Sequence, residues 1–418
     1  MELEAQAMNL VTRNTLSHGK MLPAEIWLKV FLFMKVWSNE WDTAITDFPL
    51  LLTRVCRQWR QLARSCSELW TLVCCKIRAD SMQRGALKGH EDWLACTGYQ
   101  PITLNISCDI QDPTLINPFL QLYYAHFAHV RALRIRMSYR LTGRALDPPP
   151  QNALPICEEI CTSINGNSNI SWLCPVFQGK IPRLRSLKMD RNTSGTQLLL
   201  PVEAHLCNLV SLDAACNNFR LHPADIIRSC PHLVHCRLLF RLSNEQVRMW
   251  DVPNAAPFII PHLRTLRLGD WDAYNWRDVF SLASFPALEE LTIIGHMWPI
   301  SSFVPFLKRS QCQLRALVFQ STNIPADALL DILRCISSSL KQLSIEQIDM
   351  LLVALTPNAD SKIIVTPLLE VLKIQSQGPF AHTDGRLIDL VRARMAGLVT
   401  GVATLKEITV ECGNMTTG

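Results

Sequence analysis

The chain has 418 residues, 48% of them hydrophobic, and a formal net charge of +5. That apolar content is ample for a large core and excludes a disordered chain, while so thin a charge surplus points to no nucleic acid or acidic surface as partner. Sixteen cysteines in 418 residues are far below the density of a disulfide scaffold. Residues 1–20 carry Glu2 and Glu4 and no apolar run, so they read as a flexible polar tail and not as a secretory signal. No stretch of 18 apolar residues predicts a membrane span. The thiols are therefore expected to be free, in the cytoplasm or nucleus, and the acceptor-like Asn169-Ile170-Ser171 to be a chance match.

From Met21 to Val73 the pattern is helical. Pro23 suits a first helical turn, and Glu25 favours its positive end. Ile26, Val30, Phe33 and Met34 then recur at helical spacing, one apolar face. Trp27 and Phe31 lie on a second face, so this helix needs two partners. A second helix is predicted over Leu50 to Ala63, with Leu51, Leu52, Val55, Trp59 and Leu62 as its stripe and Arg54, Arg57, Arg60 and Arg64 as its rim. A unit of roughly 50 residues sits near the lower size limit for independent folding, so it is expected to lean on a partner or on the rest of the chain.

The clusters Leu22-Pro23-Ala24-Glu25-Ile26-Trp27, Val55-Cys56-Arg57-Gln58-Trp59-Arg60-Gln61-Leu62-Ala63 and Leu69-Trp70 together resemble an F-box. That family comprises three-helix modules that dock on the Skp-type adaptor of cullin–RING ubiquitin ligases. The resemblance covers residues 21–75 and departs from the family in a long connection from Lys35 to Asp47 and in the absence of a proline at Cys66-Ser67. It implies adaptor contacts through Leu22, Pro23, Ile26, Val30, Val55 and Trp59. The alternative is a helical hairpin that only packs on the domain after it.

Residues 76–128 read as a connector and a first strand. Lys76 to Glu91 is charged, and Trp93-Leu94-Ala95-Cys96-Thr97-Gly98 leads into an alternating strand over Pro101 to Ile106. This arrangement resembles the segment following the F-box in proteins of mushroom-forming fungi. From residue 129 to 418 one motif recurs: apolar, two residues, apolar, one residue, apolar. Its first positions are Val130, Leu184, Leu209, Leu233, Leu263, Leu288, Leu314, Leu340, Leu369 and Leu405. The steps between them are 54, 25, 24, 30, 25, 26, 26, 29 and 36 residues. The first step leaves room for a divergent repeat or an insertion between Pro148 and Gly179. The others lie near the period of leucine-rich repeats, with Asn192 and Asn217 at the position of that family's asparagine ladder. Helical patterns follow some motifs: one starts at Pro325 and runs through Leu329, Leu330, Ile332, Leu333 and Ile336, and another runs from Arg386 to Leu398. The predicted fold is therefore α/β: an N-terminal three-helix F-box, then a curved leucine-rich-repeat solenoid with parallel strands inside and helices outside.

No phosphate-binding or nucleophile motif is present, and no cofactor is expected. His232, His235 and Cys236 look like metal ligands but should diverge on a strand, as should Cys74 and Cys75; Cys157 and Cys161 could share a helix face. The fifth motif position should face away from the core. It carries Arg134, Lys188, Asp213, Arg237 and Arg267 in the first half, then Thr292, Val318, Ser344, Lys373 and Thr409. Arg134, Lys188, Arg237 and Arg267 are thus expected to hold an acidic or phosphorylated segment, the other reading being ordinary solvated strand residues. The function expected is a non-catalytic substrate receptor: Skp-type adaptor, and through it a cullin, at the F-box, and an unknown target protein on the repeats. The alternative is a binding scaffold acting outside a ligase. Nucleic acid is disfavoured because aromatic residues are not interleaved with the basic ones.

Overall fold

The computed structural model describes residues 22–37, 48–77, 86–110, 112–137, 146–164, 181–190, 206–216, 222–240, 256–270, 276–295, 300–320, 324–346, 355, 365–376, 384–395 and 402–412. The N-terminal tail, the Lys35–Asp47 connection beyond residue 37, and Asn192 and Asn217 lie outside these residues.

The described residues open with three helices, α1 (Ala24–Trp37), α2 (Phe48–Val55) and α3 (Arg57–Ser65), followed by a 3-10 turn at Ser67–Trp70. The single helix expected over Leu50 to Ala63 is in fact two. Cys56 leaves the helical region (φ −156°, ψ 171°), and its Sγ accepts the Trp59 N–H at 3.4 Å, a cap that starts α3. Arg60 Nε closes the corner on the Thr53 carbonyl at 2.8 Å. The bend brings Trp59 under α1, with ring centroids 4.7 Å from Trp27 and 4.8 Å from Phe31. Phe31, Phe48, Leu52, Ala63, Leu69 and Trp70 fill a small core of their own. Trp70 donates to the Ala63 carbonyl at 2.7 Å, and Trp93 donates to the Trp70 carbonyl at 3.0 Å. Those two indoles tie the helical unit to α4 (Ala86–Thr97) and so to the rest of the molecule.

The remainder is organised on one parallel sheet of 13 strands. In spatial order they are β1 (Leu72–Ile77), β2 (Ile102–Cys108), β3 (Val130–Met137), β4 (Glu159–Ile164), β5 (Ser186–Asp190), β6 (Ser211–Cys216), β7 (His235–Phe240), β9 (Thr265–Asp270), β11 (Glu290–Ile294), β12 (Ala316–Gln320), β13 (Gln342–Ile345), β14 (Val371–Ser376) and β15 (Glu407–Cys412). A separate two-stranded pair, β8 (Phe258–Ile259) and β10 (Ala283–Ser284), lies between repeats. Every expected motif coincides with a strand. β4 occupies the long first interval, so a divergent repeat is there. The sheet also begins earlier than the motif count, with β1 inside the stretch assigned to the F-box and β2 in the connector.

The register explains the motif. Its second and third apolar positions form two adjacent rows across the sheet, including Leu133, Ile160, Leu187, Leu212, Cys236, Leu266, Leu291, Leu317, Leu343 and Leu372 in one, all buried. The first position closes the turn before each strand. These rows share one continuous core with helix residues Phe119 and Tyr123 of α5 (Pro113–Tyr124), Ile226 of α6 (Pro223–Arg228), Phe280 of α7 (Trp276–Leu282), Phe306 of α8 (Ile300–Ser310), Ile332 of α9 (Ala326–Ile336) and Leu390 of α10 (Asp384–Met395). All helices in this core thus pack on one face of the sheet, an arrangement compatible with a solenoid. At the strand entrances a ladder repeats: Val234 N–H to Val210 O at 2.8 Å, Arg264 to Val234 at 2.9 Å, Glu289 to Arg264 at 2.8 Å, Arg315 to Glu289 at 2.7 Å, Lys341 to Arg315 at 2.8 Å. Each repeat therefore satisfies the backbone of the next.

Two arginines join neighbouring units. Arg309, in the last turn of α8, donates to the carbonyls of Phe280 (2.6 Å) and Ala283 (2.8 Å). Arg394 on α10 is buried, 1% exposed, and donates to the carbonyls of Leu355 (3.1 Å), Thr366 (3.0 Å) and Val365 (3.2 Å). Burial pushes its pKa down to about 10.

Candidate functional site

Two surfaces stand out. The first is on the N-terminal helices. With Trp27 and Phe31 turned inward onto Trp59, the opposite stripe of α1 is exposed. Leu22, Ile26, Val30, Phe33 and Met34 are exposed, Phe33 at 65%, and Leu51 and Val55 of α2 are exposed at 52% and 56%. A soluble fold rarely leaves a contiguous apolar face of this kind uncovered. Of the adaptor-contact residues expected, Leu22, Pro23, Ile26, Val30 and Val55 lie on the outside. Trp59 is different: it is half-buried beneath α1, where it supports the face and forms little of it. Phe33, Met34 and Leu51 belong to the face but were absent from the expected contact set. Their signal was the helical spacing of Phe33 and Met34 with Ile26 and Val30.

The second surface is the open face of the sheet. The fifth motif position forms one unbroken row: Cys74, Asn105, Arg134, Cys161, Lys188, Asp213, Arg237, Arg267, Thr292, Val318, Ser344, Lys373 and Thr409, each directly across from the next, with Cys161 and Ser344 buried within it. The four cations expected to act together differ in their surroundings. Arg134 makes a two-pronged bridge to Glu159 (3.0 and 3.3 Å). Arg237 reaches Asp213 across the strand at 3.3 and 3.4 Å. Lys188 is exposed. Arg267 is half-buried and makes no hydrogen bond or ion pair among the described residues, and the Nε of both Arg237 and Arg267 is buried without an acceptor. Each such donor costs about 1–3 kcal/mol. Arg237 and Arg267 stand directly opposite on β7 and β9, where like charges repel. Burial, then the Arg237 guanidinium, hold Arg267 below its ordinary pKa, with Asp213 partly offsetting. The stripe is therefore a paired cation at Arg134 and a strained couple at Arg237 and Arg267.

The other candidate ligands separate as follows. Cys236 is buried, while His232 and His235 are exposed, and His235 Nδ1 lies 2.9 Å from Thr265 Oγ1. Cys157 and Cys161 share no helix: Cys161 is on β4 and Cys157 precedes it, because the segment continues the sheet. Among the described residues no three His, Cys, Asp or Glu side chains gather as a metal site would require. A cleft of about 540 Å³ lies where the helical unit meets the sheet, lined by Arg64, Trp70, Lys76, His90, Asp92 and Trp93 among others. The Nδ1 of His90 in its wall lies 2.9 Å from Tyr123 Oη.

No known family model matches this chain, and no curated protein matches it. No helix among the described residues is long and apolar enough to cross a membrane.

Proposed function

We propose that the chain is a non-catalytic receptor that brings a target protein to a ubiquitin ligase. Its N-terminal helices dock a Skp-type adaptor, and through it a cullin, while the open face of the parallel sheet holds the target. The observation that carries this reading is the exposed apolar face formed by α1 and α2, at the residues whose pattern resembles the F-box. A helix packed on one side and apolar on the other is built for a second partner. A few apolar anchors of this kind dominate most interfaces. The hydrogen-bonded connection through Trp70 and Trp93 supports the second half of the reading, because a receptor must hold its target at a fixed offset from the adaptor. The gain is one of effective concentration: the captured target is presented to the ligase instead of meeting it by diffusion.

The test is co-purification of a Skp-type adaptor with the full chain. The variant Ile26→Asp/Val30→Asp places two charges on the exposed face without touching the core beneath. Adaptor capture by the parent chain and its loss in the folded variant are expected. Equal capture by both, or none by the parent, would refute the assignment.

A further inference from the structure

From the Arg237–Arg267 couple we infer that the open face carries a carboxylate-binding site, which takes an acidic residue of an extended peptide. The inference rests on reading this face as the target-holding surface, and it names the chemistry that the surface selects.

Three observations combine. First, the two guanidinium groups occupy facing positions on β7 and β9, where their like charges repel. Second, internal carboxylates pair with other cations of the row, Lys373 with Glu407 among them, but not with Arg267. Glu159 takes Arg134 and Asp213 takes Arg237, whereas Arg267 feels Asp213 only at longer range and makes no ion pair among the described residues. Glu290, diagonal to it on β11, makes no ion pair with it. Third, the surroundings shape a slot and not a bare charge. On one side of the couple, His235 and Thr265 are hydrogen-bonded to each other at 2.9 Å. On the other, Leu239 fills the space above Gly269, where an added Cβ would meet its Cδ2 at 2.4 Å. A ligand carboxylate over the couple thus meets two forked donors, a polar edge and an apolar edge.

The charge count selects among oxyanions. Arg237 and Arg267 contribute +2 and the contacting Asp213 contributes −1, leaving +1. A carboxylate balances that charge. A phosphate monoester, at about −1.5 to −2 near neutral pH, overshoots it and is repelled by Asp213. An arginine fork also matches the planar carboxylate in geometry. Beyond β9 the row turns neutral through Thr292, Val318 and Ser344, so the acidic residue marks one end of the footprint.

The test uses the immobilised full chain and four degenerate peptide pools. Three have amidated ends and glutamate, glutamine or phosphoserine at the centre; the fourth has central glutamine and a free C-terminal carboxylate. Retention of the glutamate pool at least tenfold above the glutamine pool is expected, with phosphoserine below glutamate. Retention of the free-terminus pool as well would place chain-terminal carboxylates in the same site. Arg267→Gln should abolish the preference, whereas Arg264→Gln, which removes an exposed cation beside the row, should leave it. Asp213→Asn should shift preference toward phosphoserine, since it raises the local charge by one. Adaptor binding, measured on the same preparations, reports on the N-terminal face independently and verifies folding. No preference for glutamate over glutamine, an unchanged preference in Arg267→Gln, or phosphoserine favoured by the parent chain would each overturn the site. An unchanged preference in Asp213→Asn would overturn the charge-matching argument.

Discussion

Phe31 and Phe33 lie two residues apart on α1 and have opposite fates, which makes them a matched pair of probes. Phe31 is fully buried against Trp27 and Trp59, and Phe33 is 65% exposed. A phenylalanine carries roughly 200 Å² of surface, so about 130 Å² of Phe33 remains to be covered. At ~25 cal/mol per Å² its burial on an adaptor is worth about 3 kcal/mol. Phe33→Ala should therefore weaken adaptor binding by about 100- to 200-fold and shift folding stability by less than about 0.5 kcal/mol. Phe31→Ala should do the reverse first: a loss of about 3–5 kcal/mol of stability from the cavity it leaves. Calorimetric titration of the adaptor and urea unfolding of each variant measure the two quantities. Adaptor affinity within threefold of the parent in Phe33→Ala would refute the assignment of this face. A stability loss in Phe33→Ala as large as that of Phe31→Ala would refute the division of α1 into buried and open sides.

Arg394→Met strips the Leu355, Val365 and Thr366 carbonyls of their shared donor but also relieves a buried charge, so a net loss of about 2–4 kcal/mol is expected; an unchanged urea midpoint would contradict the clamp. His222 is held below its ordinary pKa by burial, with Asp278 at 3.2 Å opposing. Its unfolded form takes a proton near pH ~6.5 and its folded form resists, so stability is full above that pH and falls as pH drops below it. His90 and His126 act in the same direction. The Tm should decline from pH 7.5 to 5.5, less steeply in His222→Gln, and a rise on acidification would overturn the sign. Burial pushes the Cys75, Cys157 and Cys230 thiols up to about 12, so alkylation of the native chain should reach exposed Cys56, Cys207 and Cys335 well before them. Early labelling of Cys230, read by peptide mass, would show that the core opens there.

The sheet was legible because its register is written in single residues. Wherever leucine or isoleucine fills the inward positions the strand was evident. β4 was not, because Cys157 and Thr162 stand on either side of Ile160 where the motif expects larger apolar residues, and Thr162 is buried as a substitute for one. The split between α2 and α3 escaped a reading by periodicity, since Cys56 interrupts the helix without glycine or proline to announce it. Nor does spacing say which apolar side of α1 is covered. That is decided by Trp59, which arrives beneath it only through the corner at Cys56. In the row of cations the residue types were evident, but their pairing was not, because Glu159 sits one step off the row and meets Arg134 on the diagonal.

The unbroken row across 13 strands has a metric consequence. Strands repeat every ~4.8 Å, while an extended peptide crossing them presents a side chain toward the sheet only every ~6.8 Å. The two rulers form a vernier: they coincide at one strand, disagree by nearly half a step at the next, and come back into phase only after about seven strands. A long ligand therefore cannot be spelled out residue by residue along this row. If this face holds a target as proposed, the target would be gripped at a few points of coincidence, with the intervening positions free to vary, so that unrelated sequences could share the surface by placing their anchor residues at the same separation.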